Sequence, residues 1–230
     1  AFAASDAISV RIHGEGGHGS RPETTVDPIV LAASVVMRLQ TVVSREVAAS
    51  EIVVLTVGSI NGGTAANIIP SEVELKLSVR TFSETTRERV LAAIERIVKG
   101  EAMAAGVKRE PEIESLYSFP AVVNGPQACE ITKKAFQKAM PGVPVVNPGV
   151  VTGSEDVGLF GRAVGAPTVY WLLGGADPEP FTHAGSVEEL LNVLADQPSN
   201  HSPEYAPLIE PTLGVGINAL KTAALEWLAA

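Results

Sequence analysis

The spacing of apolar residues in the first half of the chain constrains the fold more than any other feature. Alternating or β-branched runs predict strands at 6–13, 52–58, 72–82 and 107–117. Helical spacing predicts a helix between the first and second strands, at 28–44, and another between the third and fourth, at 84–105. The order β-α-β-β-α-β is the split βαβ, or ferredoxin-like, pattern. We therefore predict an α+β domain at residues 6–118.

Local signals mark the ends of both helices. Asp27 is an N-cap residue followed by Pro28 at the first helical position. Ser83 can cap the second helix, and Gly106 is suited to end it. The first strand alternates apolar with polar residues, which is typical of an antiparallel strand with one face in water.

Residues 119–230 show a different pattern. The expected elements are a helix at 127–139, a short strand at 143–146, a helix at 153–163, an apolar strand at 168–173, a capped helix after Ser186 and a helix at 211–228. An unbroken apolar strand is typical of a sheet covered on both faces. This segment is therefore interpreted as the C-terminal part of an α/β domain, and the predicted class of the whole chain is α/β.

Composition excludes several classes of function. The chain has 230 residues, is 46% hydrophobic and carries a net charge of −9, with no basic patch for nucleic acid. The single cysteine, Cys129, rules out an internal disulfide and fits a reducing, cytoplasmic compartment. No apolar run reaches the length needed to span a membrane, so we expect no membrane partner.

A glycine-rich stretch, Gly14-Glu15-Gly16-Gly17-His18-Gly19, follows the first strand. It matches the spacing of a dinucleotide fingerprint, but that motif needs its third glycine in the first turn of a helix. Here Pro22 intervenes and the helix begins only at Pro28, so we reject that interpretation. His18 could donate a proton or a hydrogen bond near neutral pH. An ordinary flexible loop with a surface histidine remains the alternative.

Further polar residues have both functional and ordinary interpretations. Arg80 could bind a carboxylate through two hydrogen bonds, or it could be one more charge on a wet strand face. Asn67 could simply turn the chain. His201 could bind a metal through neutral imidazole, but a zinc site needs three or four ligands. Glu155 and its acidic neighbour could complement a helix dipole.

Six motifs occur in one order across nearly the whole chain. They are Gly16–Pro22, Ala66–Pro70, Leu77–Arg80, Gly153–Asp156, Leu173–Gly175 and His201–Pro203. In this succession the chain resembles the amidohydrolase branch of the aminoacylase and carboxypeptidase G-type dinuclear metallopeptidases. Hippurate hydrolases, N-acyl-amino-acid deacylases and auxin-conjugate hydrolases belong to that branch.

The resemblance implies a fold and an activity. Residues 6–118 would be the ferredoxin-like lid, or dimerisation, domain, and 119–230 the C-terminal portion of the α/β catalytic domain. The activity would be metal-dependent hydrolysis of the amide bond of N-acyl amino acids or related small peptide-like substrates. It implies two divalent metal ions (zinc, manganese, nickel or cobalt) and a homodimer formed through the lid.

The resemblance also implies roles for individual residues. His18 matches a lid histidine that stabilises the tetrahedral oxyanion, in several relatives across the dimer. His201 matches the final metal ligand. The expected substrate-binding residues are Asn67 and Arg80 of the lid and Gly153, Ser154 and Glu155 of a turn beside the substrate pocket.

Two departures from the family pattern matter. The other metal ligands and the general-base glutamate of the family lie in an N-terminal catalytic segment that has no counterpart here. Residues 176–200 are longer than the corresponding connection in relatives. We therefore expect a fragment that binds metal weakly and does not turn over. The alternatives are a non-enzymatic dimerisation or binding module, and a dipeptidase or aminopeptidase of the same superfamily.

Overall fold

The computed structural model describes residues 1–199 and 201–228, which form two compact units. The first comprises Ala1–Val122 and Val151–Phe160, and the second comprises Val123–Val150 and Gly161–Ala230. The first unit thus takes in a short segment from later in the chain. The domain division after residue 118 stays a prediction.

The first unit is built on a four-stranded antiparallel sheet. In chain order its elements are β1 (Ala4–His13), β2 (Gly17–His18), α1 (Pro28–Thr41), β3 (Val53–Gly62), β4 (Ile68–Ile69), β5 (Glu72–Thr81), α2 (Glu84–Ala104) and β6 (Glu112–Phe119). The four long strands lie in the order β3-β5-β1-β6, and β2 pairs with β4 in a separate short ladder. This is the predicted ferredoxin-like order, so the predicted fold class is confirmed.

The hydrophobic core of this unit lies between the sheet and its two helices. Alternate residues of β1 and β5, such as Val10 and Leu75, are fully buried on the helix side. Val35 of α1 and Ile94 of α2 pack into the same cluster. The period of two in the strands and of 3.6 in the helices therefore brings the apolar positions to one interface.

The signals at the helix ends act as predicted. Asp27 accepts a hydrogen bond from the Ile29 N–H at 2.8 Å. Gly106 has φ +74°, which favours glycine, and its N–H donates to the Met103 carbonyl at 3.1 Å. By length and composition alone, the helical stretch Pro28–Glu46 could span a membrane. It is instead a core helix, because side chains such as Val35 and Leu39 are buried against the sheet.

The expectation that one face of β1 is exposed to solvent is wrong. This strand lies between β5 and β6, and its polar residues Ser9 and His13 are less than a tenth exposed. Longer side chains from the neighbouring strands cover them. Ser9 Oγ donates to Glu74 Oε1 at 3.1 Å, and His13 Nε2 lies 3.3 Å from Glu112 Oε1. Alternation alone did not reveal that most of the polar face of a central strand would be covered, with Arg11 as the one residue of β1 that stays exposed.

The remaining helices are α3 (Pro126–Ala139), α4 (Gly158–Val164), α5 (Val187–Ala195) and α6 (Thr212–Leu228). In the second unit α3 packs against α6, and Trp227 Nε1 donates to Thr132 Oγ1 at 3.1 Å. Ser186 caps α5 as predicted, because its Oγ accepts from the Glu189 N–H at 3.2 Å.

Three predicted elements of the C-terminal half are wrong. Residues 143–146 and 168–173 are not strands, and the helix expected from Gly153 begins at Gly158. A strand needs a neighbour for its backbone groups. The segment 168–173 bonds instead to a loop: the Gly125 N–H donates to the Thr168 carbonyl at 2.9 Å, and Asn124 binds the backbone of Tyr170 at 2.8 Å.

Candidate functional site

The glycine-rich loop is held against the chain before β5 by the short β2–β4 ladder. His18 lies opposite Ile68, and the Gly19 N–H donates to the Asn67 carbonyl at 2.8 Å. The glycine at position 16 permits this close approach, because a Cβ there would lie 2.8 Å from the Ile69 carbonyl oxygen. The structure therefore brings the predicted site residues His18 and Asn67 together.

The His18 imidazole is exposed and is oriented by its own loop. Its Nδ1 accepts a hydrogen bond from the Ser20 N–H at 3.2 Å and lies 2.7 Å from Ser20 Oγ. No partner for Nε2 occurs in the described part of the chain. An exposed ring nitrogen without an internal partner can interact with a ligand.

Arg80 lies near the other end of β5 and contacts the turn that contains Ser154. Its Nη1 donates to Ser154 Oγ at 2.6 Å. A guanidinium carries five N–H donors, so this bond leaves others available. Arg80 forms no ion pair among residues 1–199 and 201–228. The half-buried cation is thus free to bind an anionic group.

The other two residues of this turn have different surroundings. The Gly153 carbonyl accepts a hydrogen bond from the Ala3 N–H at 3.0 Å, and a Cβ on Gly153 would contact the Phe2 ring at 3.5 Å. Glu155 is exposed and forms no ion pair in the described chain. The turn is therefore fixed by backbone contacts to the segment that enters β1.

The predicted substrate residues of the first unit fall into two groups. Ser5 pairs with Arg80 and His13 with Glu72, so the two ends of β5 lie beside the two ends of β1. Arg80 lies eight residue steps from Glu72 along β5, or about 26 Å. His18 and Asn67 lie in the connections beyond the Glu72 end. One small ligand cannot reach both groups of one chain.

His201 is an exposed turn residue of the second unit. Across residues 1–199 and 201–228, no group of three or more histidine, cysteine, aspartate or glutamate side chains could hold a metal ion. The described residues therefore do not fit a complete metal site, and His201 can supply one ligand at most. The neighbouring Asn200 lies outside the described residues.

A buried ion pair in the first unit went unnoticed in the sequence. Arg87 of α2 donates to both carboxylate oxygens of Asp6 at 2.7 and 2.8 Å. The hydrogen bond to Asp6 raises the pKa of Arg87 well above its usual value, against the effect of burial, and Glu84 raises it further. The clue in the sequence was a carboxylate, Asp6, at an inward position of a strand.

The chain is similar in sequence to several known proteins. Residues 5–105 match the peptidase dimerisation domain family, M20_dimer. An N-acyl-L-amino acid amidohydrolase of Geobacillus stearothermophilus is 45% identical over 123 residues, 54% of this chain and 33% of that protein. An N-acetyldiaminopimelate deacetylase of Leuconostoc mesenteroides is 39% identical over 236 residues, 98% of this chain and 52% of that protein.

Solved structures agree on the fold. The crystal structure of an aminohydrolase from methicillin-resistant Staphylococcus aureus superimposes with a TM-score of 0.73 at 24% identity. The match covers 97% of this chain and 52% of that structure. At this identity the likeness concerns the fold alone.

The part of the chain that matches this family is the ferredoxin-like sheet with its two helices and the glycine-rich loop that carries His18. Residues 5–105 match the peptidase dimerisation domain family, and the chain is similar to proteins named as an amidohydrolase, a deacetylase and a carboxypeptidase over 54%, 98% and 75% of its length. The predicted family resemblance is therefore confirmed. The chain spans between about a third and about half the length of these relatives.

Proposed function

We propose that this chain is part of a metal-dependent amidohydrolase that cleaves the amide bond of N-acyl amino acids. The observation that carries the proposal is Arg80, a half-buried guanidinium without a carboxylate partner in the described chain. The carboxylate of an N-acyl amino acid supplies the matching charge, and a bidentate contact fixes its orientation. Relatives named N-acyl-L-amino acid amidohydrolase and hippurate hydrolase support this substrate class.

The residues of the lid have complementary roles in this proposal. Arg80 binds the substrate carboxylate, while Ser154, Gly153 and Glu155 form the turn beside it. The N–H of His18 donates to the oxygen that becomes negatively charged when the amide carbonyl is attacked. Asn67, next to His18 in the β2–β4 ladder, contributes a further polar contact to the substrate.

Two divalent metal ions, zinc, manganese, nickel or cobalt, would supply the activated water in the complete enzyme. His201 is the residue of this chain that we propose as a ligand. Since the described residues hold no complete ligand set, the remaining ligands and the general base belong in this proposal to a further segment of a longer protein. The chain alone would be inactive. A cytoplasmic location fits the single cysteine.

The separation of the two residue groups supports a dimer in which the lids exchange side chains. His18 and Arg80 of one chain cannot reach one small substrate, because Arg80 lies near one end of β5 and His18 lies beyond the other end. In a twofold dimer, His18 of one chain can meet a substrate held by Arg80 of the other. Each active site would then need both copies.

The surface that would join the two copies is the side of the lid formed by β3 and α1. β3 is an edge strand with one unpaired side in the described chain, and unpaired edges readily pair with another chain. Beside it, α1 exposes Val30 and Met37 at 66% and 71%. On α2, by contrast, Met103 is the one large apolar side chain that is exposed to solvent. The apolar side of the domain is therefore the α1 side.

Substrate selection tests the proposed function. The longer protein should hydrolyse N-acetyl amino acids and N-benzoyl glycine, and replacement of the substrate carboxylate by a carboxamide should greatly reduce kcat/KM. Equal rates on both substrates would contradict the role of Arg80. Preference for free dipeptides would instead favour a dipeptidase or aminopeptidase.

A non-enzymatic dimerisation module is the second candidate, because the described residues hold no group of metal ligands. The intact mass of the native protein, together with the reading frame upstream of Ala1, distinguishes the two. A native product of this length, without hydrolase activity, would establish the module. A longer product with the activity would establish the hydrolase.

A further inference from the structure

We propose that Ser20 is a positioning residue that holds His18 in the tautomer with its proton on Nε2. This inference rests on the proposed function, in which His18 donates a hydrogen bond to the reacting oxygen. It identifies which ring nitrogen donates and what fixes that choice. The two hydrogen-bonding groups of Ser20, one on the backbone and one on the side chain, both face Nδ1.

The backbone contact favours one tautomer. A backbone N–H can only donate, and the Ser20 N–H points at His18 Nδ1 at 3.2 Å. A proton on Nδ1 would place two donors against each other. This contact therefore favours a lone pair on Nδ1, and a neutral imidazole then carries its proton on Nε2.

The side chain reinforces this arrangement. Ser20 Oγ lies 2.7 Å from Nδ1, a normal length for a hydroxyl hydrogen bond. Because Nδ1 already accepts from the backbone, the hydroxyl acts as a second donor to the same nitrogen. The contact is local in sequence, so it forms within the loop itself and does not depend on the rest of the active site.

The loop around these two residues is closed by further backbone bonds. The Arg21 N–H donates to the His18 carbonyl at 2.9 Å, and the Gly19 N–H donates to the Asn67 carbonyl at 2.8 Å. The turn from His18 to Arg21 is thus tied both to itself and to β4. With Nδ1 turned into the loop, Nε2–H is the group that the exposed ring presents outward.

Nitrogen NMR on this chain tests the inference without any activity. Two-bond and three-bond ¹H–¹⁵N correlations at pH 8 report the tautomer of each histidine, and His18→Gln assigns the His18 signals. We expect a protonated Nε2 and an unprotonated Nδ1.

In Ser20→Ala the Nδ1–H tautomer should become measurably populated, and Ser20→Thr should restore the wild-type pattern. Thr24→Ala is the control in the same loop, because the Thr24 hydroxyl donates to the Arg21 carbonyl and not to His18. This variant should leave the tautomer unchanged. A protonated Nδ1 in the wild type would overturn the inference.

Kinetics of the longer hydrolase give the second readout. Loss of one hydrogen bond to Nδ1 should lower kcat about three- to tenfold in Ser20→Ala, with little change in KM. Ser20→Ala should have no further effect in a His18→Ala background, because Ser20 acts through that ring. An additive loss in the double variant would overturn the positioning role. Absence of hydrolase activity in the wild type would instead refute the proposed function, while the tautomer result would still stand.

Discussion

His18 and Arg80 lie at opposite ends of the central strands of the ferredoxin-like sheet. Arg80 pairs with Ser5 at one end of the sheet, while the ladder that holds His18 begins past the pair His13–Glu72 at the other. Glu72 and Arg80 are eight residue steps apart along β5, which corresponds to about 26 Å. If both side chains contact one substrate, they must come from different copies of the chain.

Arg80 should contribute to substrate affinity through its charge and its geometry. Arg80→Ala should raise KM about ten- to hundredfold in the longer hydrolase, since hydrogen bonds between charged groups contribute about 1.5–3 kcal/mol. Arg80→Lys keeps the charge but loses the bidentate contact, so its affinity for the substrate should lie between those of Arg80→Ala and the wild type. Steady-state kinetics with an N-acetyl amino acid measure the effect. An unchanged KM in Arg80→Ala would remove Arg80 from the substrate site.

His18 and His201 should differ in their effect on metal content. In the longer hydrolase, His201→Ala should lower the bound metal measured by elemental analysis, because the residue is a proposed ligand. His18→Ala should keep the full metal content, while kcat falls about 100- to 1000-fold through loss of an oxyanion donor. Metal loss in His18→Ala would show that the glycine-rich loop has a different role.

The apolar side of the lid should join the two copies. Met37→Glu places a charge on the exposed face of α1 next to the edge strand β3 and should shift the chain towards monomer in light scattering. Met103→Glu is the matched control, since Met103 is also highly exposed, at 80%, but lies on α2. Equal behaviour of the two variants would place the dimer interface elsewhere.

The ion pair between Asp6 and Arg87 should dominate the electrostatic contribution to lid stability. The Asp6 side chain is 4% exposed, and its loss leaves a mostly buried guanidinium without its main partner. Asp6→Ala should therefore lower the free energy of unfolding by about 3–5 kcal/mol. Lys99→Ala, which breaks the exposed pair with Glu95 on the same helix, should match the wild type in urea denaturation. Similar losses in both variants would contradict this account.

The sequence was sufficient to predict the ferredoxin-like fold of the first unit but not its buried polar contacts. Periodicity and capping residues located α1 and α2, because these signals are local: Asp27 and Gly106 act on their own helix ends. The pairing of Asp6 with Arg87 joins residues 81 positions apart, and no local pattern reports such a contact. The contact between Ser20 and His18 is local, but it depends on the backbone path of the glycine loop.

The C-terminal half was less predictable for a related reason. The run at 168–173 has the composition of a buried strand, but strand formation depends on a neighbouring strand that composition cannot supply. The site residues were found mainly from the order of short motifs. The structure showed which of these residues lie together: His18 lies near Asn67, and Arg80 contacts Ser154.

The central claim, that each active site combines Arg80 of one copy with His18 of the other, is tested most directly by mixing two impaired variants of the longer hydrolase at a substrate concentration below the wild-type KM. His18→Ala and Arg80→Ala dimers are unfolded or dissociated together, reassembled in equal amounts and assayed. Half of the reassembled dimers should be mixed, and each should contain one site with both residues intact, so about a quarter of the wild-type activity should return. If activity stays at the level of the separate variants although mixed dimers form, both residues serve the same site from one chain and the account is wrong.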